Sequence, residues 1–234
     1  MRRALKWIGA VALALVAVVA LVAAVFWFTI PPTPSLPDDF EPPAPGAAVS
    51  EPTLRAELLR MVELDQAARD STVEANMADL NSVGAIWRLA QDGVRMGRVD
   101  GPNTARLKEI VAENGWPTRA QVGEDGRSAV FLIVQHADRD PAFQRTALGP
   151  MREAYEAGDA FGHDLALLTD RVRVAEGQSQ LYGSQLYMEP GRPPTLRPIE
   201  DEANVDVRRA EMGLPPLSEY LREVCTETGM CVER

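Results

Sequence analysis

The chain has 234 residues, 46% of them apolar and 25% charged, room for one medium-sized domain with appendages. Its formal net charge is −10, and the first thirty residues hold Arg2, Arg3 and Lys6 and no acid, so 21 of the 24 basic residues remain beyond them beside all 34 acidic ones. An acidic excess of that size repels phosphate backbones, which excludes nucleic acid as a natural partner, and no polybasic segment offers a headgroup patch.

Residues 7–30 run for 24 positions without a charge, mostly Ala, Val and Leu. As a helix that run is about 36 Å long, enough to cross a hydrocarbon core of roughly 30 Å with some tilt. Basic residues precede it, and Asp38, Asp39 and Glu41 follow it. The positive-inside rule then puts residues 1–6 in the cytoplasm and everything after Ile30 outside, as a single-pass protein of the cell (inner) membrane whose main domain faces the periplasm or exterior. Phe26, Trp27 and Phe28 suit the outer interface. The alternative is a cleavable signal peptide, but its apolar region is usually about 7–15 residues long. The bulky FWFTI after Val22-Ala23-Ala24 also argues for retention.

Residues 31–49 hold seven prolines in nineteen positions. Such a segment favours extended polyproline conformations and reads as a semi-rigid spacer that lifts a domain, residues 50–234, off the membrane.

The domain opens at Ser50-Glu51-Pro52, a capping residue and an early proline. Leu54, Leu58 and Met61 recur at helical spacing, and the next member of that stripe is Asp65, so a carboxylate points inward. Ser71-Thr72-Val73-Glu74 reads as a capping box. Val73, Met77, Leu80, Gly84, Trp87 and Val94 follow as a packing stripe, with Gly84 admitting a close backbone. Gly101-Pro102 reads as a break, after which Asn103 or Thr104 starts a helix with Leu107, Ile110 and Val111 inward, ended by Asn114-Gly115. Trp116-Pro117 is a corner and residues 123–126 a turn.

The apolar run from Ala129 to Val134 shows no period of its own; helical neighbours on both sides favour helix. It delivers Gln135, His136, Asp138 and Asp140 at its end. Asp140-Pro141 caps a helix carrying Phe143, Ala147 and Met151, with an interruption expected at Gly149-Pro150. Phe161, Leu165, Leu168, Val172 and Ala175 form a further stripe, with Asp164 and Arg171 at its boundary and Asp170 on the opposite face. The period then changes. Residues 180–188 and 195–199 read as two short strands around Glu189-Pro190-Gly191-Arg192, with Gly183 marking a bulge or a close contact and Pro198 an edge. Two short helices, near 205–212 and 218–224, lead to Cys225 and Cys231, which in an exported domain are expected to close a disulfide loop worth about 2 kcal/mol.

Several phrases carry a resemblance: Asp65-Gln66, NTARLKEIVAENGWPT (103–118), QHADRDPAFQ (135–144), LTDRVRVAEG (168–177), QLYGSQ (180–185) and EYL (219–221). Together they resemble a bacterial family known only as a domain of unknown function, over most of residues 51–221. The resemblance implies one mostly helical domain and brings no activity. The expected fold is therefore mostly α, a compact multi-helix domain with a small β-hairpin, preceded by one transmembrane helix.

Of the two histidines, His136 has the setting of a general acid/base, with Asp65 or Asp138 as the carboxylate that orients it. A core histidine bonded to Asp65 explains the same residues. Gln66, Gln135, Arg171, Gln180, Tyr182 and Gln185 are candidates for binding, since amides and a phenol suit a peptide or sugar; a hairpin whose amides satisfy loop backbone is the other reading. Neither a metal-ligand spacing, a nucleophile elbow nor a glycine-rich phosphate loop is present, and no cofactor is expected. Two functions stay open: a binding or interaction module of the cell envelope, with an envelope protein, peptide or sugar as partner beside the lipid bilayer contacted by residues 7–30, and a hydrolase-type enzyme built on His136.

Overall fold

The computed structural model describes residues 2–69, 82–187, 192–229 and 231–232; for residues 2–14, Glu227 and Thr228 it describes the backbone alone. The domain is mostly helical with one two-stranded antiparallel sheet. The helices are α1 (Arg2–Thr29), α2 (Pro52–Arg69), α3 (Val83–Asn114), α4 (Arg119–Gln135), α5 (Pro141–Glu156), α6 (Gly162–Ala175), α7 (Val205–Glu211) and α8 (Leu217–Thr228), with β1 (Leu186–Tyr187) and β2 (Thr195–Leu196) between α6 and α7.

The unpatterned apolar run is the middle of the fold. In α4, Ala129, Val130, Phe131, Ile133 and Val134 are all buried, because α2 and α3 pack on it from one side and α5 from another, with α6 behind α5. A helix covered on several faces needs no polar face, so its sequence loses the amphipathic period. Leu58 and Met61 of α2, Leu107 and Ile110 of α3, Phe143, Ala147 and Met151 of α5 and Leu165, Leu168 and Val172 of α6 complete one continuous core. Cutting Leu58 or Leu107 to alanine would cost about 2–5 kcal/mol.

Local chemistry sets the helix ends. Thr118 and Gln121 form a capping box at the start of α4, Asp140 Oδ1 accepts the Phe143 N–H at 3.0 Å to open α5, and Gly115, at φ 74°, closes α3. Two expected breaks do not occur. α3 continues through Gly101-Pro102 and α5 through Pro150. A proline inside a helix costs about 3 kcal/mol, but Val99, Asn103, Thr104 and Leu107 around Pro102 are buried, as are Ala147 and Met151 around Pro150, and this packing outweighs the lost hydrogen bond. Asn103, expected to start a helix, instead donates its amide to the Met61 carbonyl at 3.0 Å, tying α3 to α2. The expected turn at 123–126 is a kink within α4 at Gly123, whose φ of 76° suits glycine.

Other expectations change too. Ser50 donates its hydroxyl to the Ala120 carbonyl rather than capping α2. Gly84 is exposed, and among the described residues no other backbone approaches it. The Ser71 capping box, the first part of its stripe and Glu189 to Gly191 lie outside the described residues. The proline-rich segment lies along α2 instead of projecting as a free spacer: Arg60 donates to the Phe40 carbonyl and covers the Phe40 ring, and Arg55 reaches the Pro43 carbonyl.

The strands are shorter than their pattern suggests. Leu186 pairs with Leu196 and Tyr187 with Thr195, and beyond that only a bridge between Gln180 and Ile199 remains. The cause is Asp170. Expected on the outer face of α6, it is fully buried and accepts the N–H groups of Leu181, Tyr182 and Ser184, which are thereby withdrawn from any ladder. Cys225 and Cys231 are paired at disulfide distance at the end of α8. Among the described residues, no helix is long and apolar enough to cross a membrane.

Candidate functional site

Asp65 occupies the inward stripe of α2 one turn beyond Met61, and its side chain is 2% exposed. A buried carboxylate needs partners, and it has three. Gln66 donates to Oδ2 at 2.7 Å and Arg69, one turn on, donates to Oδ1 at 2.6 Å. The third is His136, the residue just past the end of α4, whose Nδ1 lies 2.9 Å from both carboxylate oxygens.

That bond settles the ring's orientation. A carboxylate accepts, so Nδ1 carries a proton, and in the neutral ring Nε2 is the nitrogen with the lone pair. Among the described residues nothing bonds Nε2, and His136 lines a cavity of about 190 Å³ together with Asp100, Thr104, Lys108, Arg139 and Asp140. Arg69 extends the network by donating to Asp100 Oδ1 at 3.0 Å. Burial pushes the Asp100 carboxyl up from its ordinary value, with Arg69 pulling the other way. The cavity is thus lined by a histidine oriented by one carboxylate and by a second carboxyl biased toward keeping its proton.

Two cations stand at the rim. Lys108 pairs with Asp140 at 2.8 Å, which holds the Asp140 carboxyl below its usual range. Arg139 reaches across α3 to the Gly93 carbonyl at 3.3 Å over the bare backbone of Gly97, where a β-carbon would overlap its guanidinium. Among the described residues no group of three or more His, Cys, Asp or Glu is placed to hold a metal ion.

The remaining candidates lie elsewhere. Asp138 is turned from His136 and pairs with Arg171 at 2.6 Å, beside the Gln144 amide. Gln135 accepts from Gln144 through its carbonyl, while its side-chain oxygen is buried without a partner. Gln180 is fully buried and spent on the loop: it donates to the carbonyls of Gln185 and Arg197 and accepts the Gln185 N–H. Tyr182 is also buried, its N–H on Asp170 and its carbonyl on Arg209. Gln185 donates to Ser184 Oγ at 3.1 Å. His163, half-exposed, pairs with the neighbouring Asp164 at 3.0 Å.

Arg69, Asp100, Thr104, Lys108 and Arg139 were not singled out from the sequence. Asp100, Thr104 and Lys108 recur every fourth residue and share one face of α3, a pattern hidden by reading Gly101-Pro102 as a break.

No curated protein and no solved structure matches the chain. A family model does match, over residues 52–233, which takes in α2 to α8 and every residue of the cavity. The chain therefore belongs to DUF6624, a family of unknown function.

Proposed function

We propose that the domain is a hydrolase-type enzyme of the cell envelope, tethered by residues 7–30, in which His136 acts as the general base on a small polar substrate carrying an anionic group. The observation that carries this reading is the 2.9 Å contact between His136 Nδ1 and Asp65, with His136 among the residues that line a cavity. In this scheme Nε2 removes a proton from water as its oxygen attacks the electrophilic carbon or phosphorus, Asp65 stabilises the resulting imidazolium, and the proton passes to the leaving group. Lys108 and Arg139 suit the anionic part of the substrate. For the tether, the uncharged run of residues 7–30 and the charges that flank it are the support.

The same rim cations favour a second reading, recognition of an anionic ligand, peptide or sugar acid without turnover. Hydrolysis of p-nitrophenyl acetate and p-nitrophenyl phosphate by the full chain, with nitrogen shifts of the His136 ring followed in parallel, separates the two. Turnover that rises with pH through one titration and falls by about 100-fold or more in His136→Gln supports the enzyme. Ring shifts on adding phosphate or acetate without turnover leave recognition. Neither signal removes both.

A further inference from the structure

α3 extends well past the core. From Gln91 back to Val83 it leaves α4 behind and meets the end of α1: Phe26 and Trp87 stack edge to face at 5.0 Å, Gln91 donates to Thr29 Oγ1 at 2.7 Å, and Arg98 lies over the Trp27 ring. Arg95, on another face, donates to the Ala68 carbonyl of α2 at 2.6 Å. The third face carries Val83, Ile86 and Leu89, three residues apart and all exposed. Soluble surfaces scatter such residues singly; a helical row of them is covered by something.

We infer that the first turns of α3, residues 83–98, lie on the bilayer surface beside the point where α1 leaves it, with Val83, Ile86 and Leu89 in the headgroup–acyl boundary. The inference rests on reading α1 as the membrane anchor. Two observations select lipid as the occupant. The row stands on the part of α3 that packs against the end of α1, where Val25, Trp27 and Phe28 are themselves exposed. Trp27 and Trp87 also stand at this contact, and tryptophan is the residue type enriched where a membrane meets water. An amphipathic helix flanked by interfacial tryptophan is the composition that seats at a bilayer surface. Contact of this kind would fix the tilt of the domain and the height of the His136 cavity above the membrane.

The test places an environment-sensitive fluorophore on the full chain in phosphatidylcholine–phosphatidylglycerol vesicles, at Val19→Cys, Ile86→Cys or Val207→Cys. These three positions are equally open in the protein alone, at 62%, 59% and 59% exposed, so differences report the surroundings. The expected result is quenching by spin-labelled lipid at both 19 and 86, several-fold above that at 207, with iodide quenching in the reverse order. Iodide quenching at 86 equal to that at 207 overturns the inference and leaves the anchor intact. Shielding of 86 from both quenchers means that protein, such as a second copy, covers the row, and overturns it too. Lack of lipid quenching at 19 sinks the anchor reading, and the inference with it.

Discussion

Asp170 Oδ2 accepts both the main-chain N–H of Ser184, at 3.0 Å, and its hydroxyl, at 2.9 Å. With the N–H groups of Leu181 and Tyr182 on the same carboxylate, α6 holds the whole 181–184 loop through one side chain. Arg209, also buried, ties the loop onward by donating to the Tyr182 carbonyl, and the Tyr220 hydroxyl donates to the Ser184 carbonyl. Three stretches of the chain, LTDRV (168–172), QLYGSQ (180–185) and EYL (219–221), meet at this point. Gln180 and Gln185, two of the residues suited by type to binding a ligand, are hydrogen-bonded to each other beside it.

Asp170→Ala should therefore cost about 3 kcal/mol or more, since each buried donor left unsatisfied costs about 1–3 kcal/mol. Asp170→Asn, which keeps one acceptor oxygen, should cost less. Urea unfolding of the two variants checks the order; a loss below about 1 kcal/mol for the alanine variant would show that water replaces the carboxylate.

The His136–Asp65 pair has unequal partners. Asp65 also holds Arg69 and Gln66, whereas His136 makes a single bond among the described residues. Removing the histidine leaves the carboxylate with two other donors, so His136→Gln should change stability by about 1 kcal/mol at most. Asp65→Ala takes the carboxylate from three donors at once and, among the described residues, leaves Arg69 only Asp100 as its ion-pair partner, so it should cost about 3 kcal/mol. Denaturant midpoints measured side by side decide it. A loss of several kcal/mol in His136→Gln would make the ring part of the packing and take the base away from the proposed enzyme.

How much of this was legible follows from which face of each helix a residue occupies. Asp65 could be read as buried because it continues a stripe of Leu and Met at helical spacing, and His136 because an apolar run delivers it. Both signals are local. Asp170 could not be read in this way: it sits opposite the stripe of α6, and that face is buried too, under a loop that the periodicity of α6 says nothing about. Asp100 and Lys108 were hidden by the propensity of Gly101-Pro102 to break a helix, which tertiary packing overrode. Arg139 requires knowing that residue 97 is a glycine on the facing helix.

Asp100 gives the site a pH signature. Its folded-state pKa is raised, with burial as the largest cause. Between its unfolded value, about 3.9, and that raised value the folded chain binds more protons than the unfolded one, so this group's contribution to stability falls as pH rises through the window. Asp100→Asn removes that fall. The stability of the wild type relative to the variant should decline across the window when urea midpoints are followed upward from about pH 3. A difference that grows with pH would mean that pairing with Arg69 outweighs burial.

Gly97→Ala separates recognition from folding. Alanine favours a helix interior over glycine by about 1 kcal/mol, and the atoms its β-carbon would meet belong to the far end of the Arg139 side chain, which can swing away at little cost. The variant should be as stable as the wild type or slightly more so, while the Arg139 guanidinium leaves the rim of the cavity. With an anionic substrate KM should then rise several-fold at nearly constant kcat, the pattern of a lost uniform binding contact, and phosphate should shift the His136 ring less at a given concentration. Arg139→Ala should reproduce both changes. If Gly97→Ala is stable and leaves KM and the phosphate response unchanged, Arg139 has no part in recognition and Lys108 is the cation to test next.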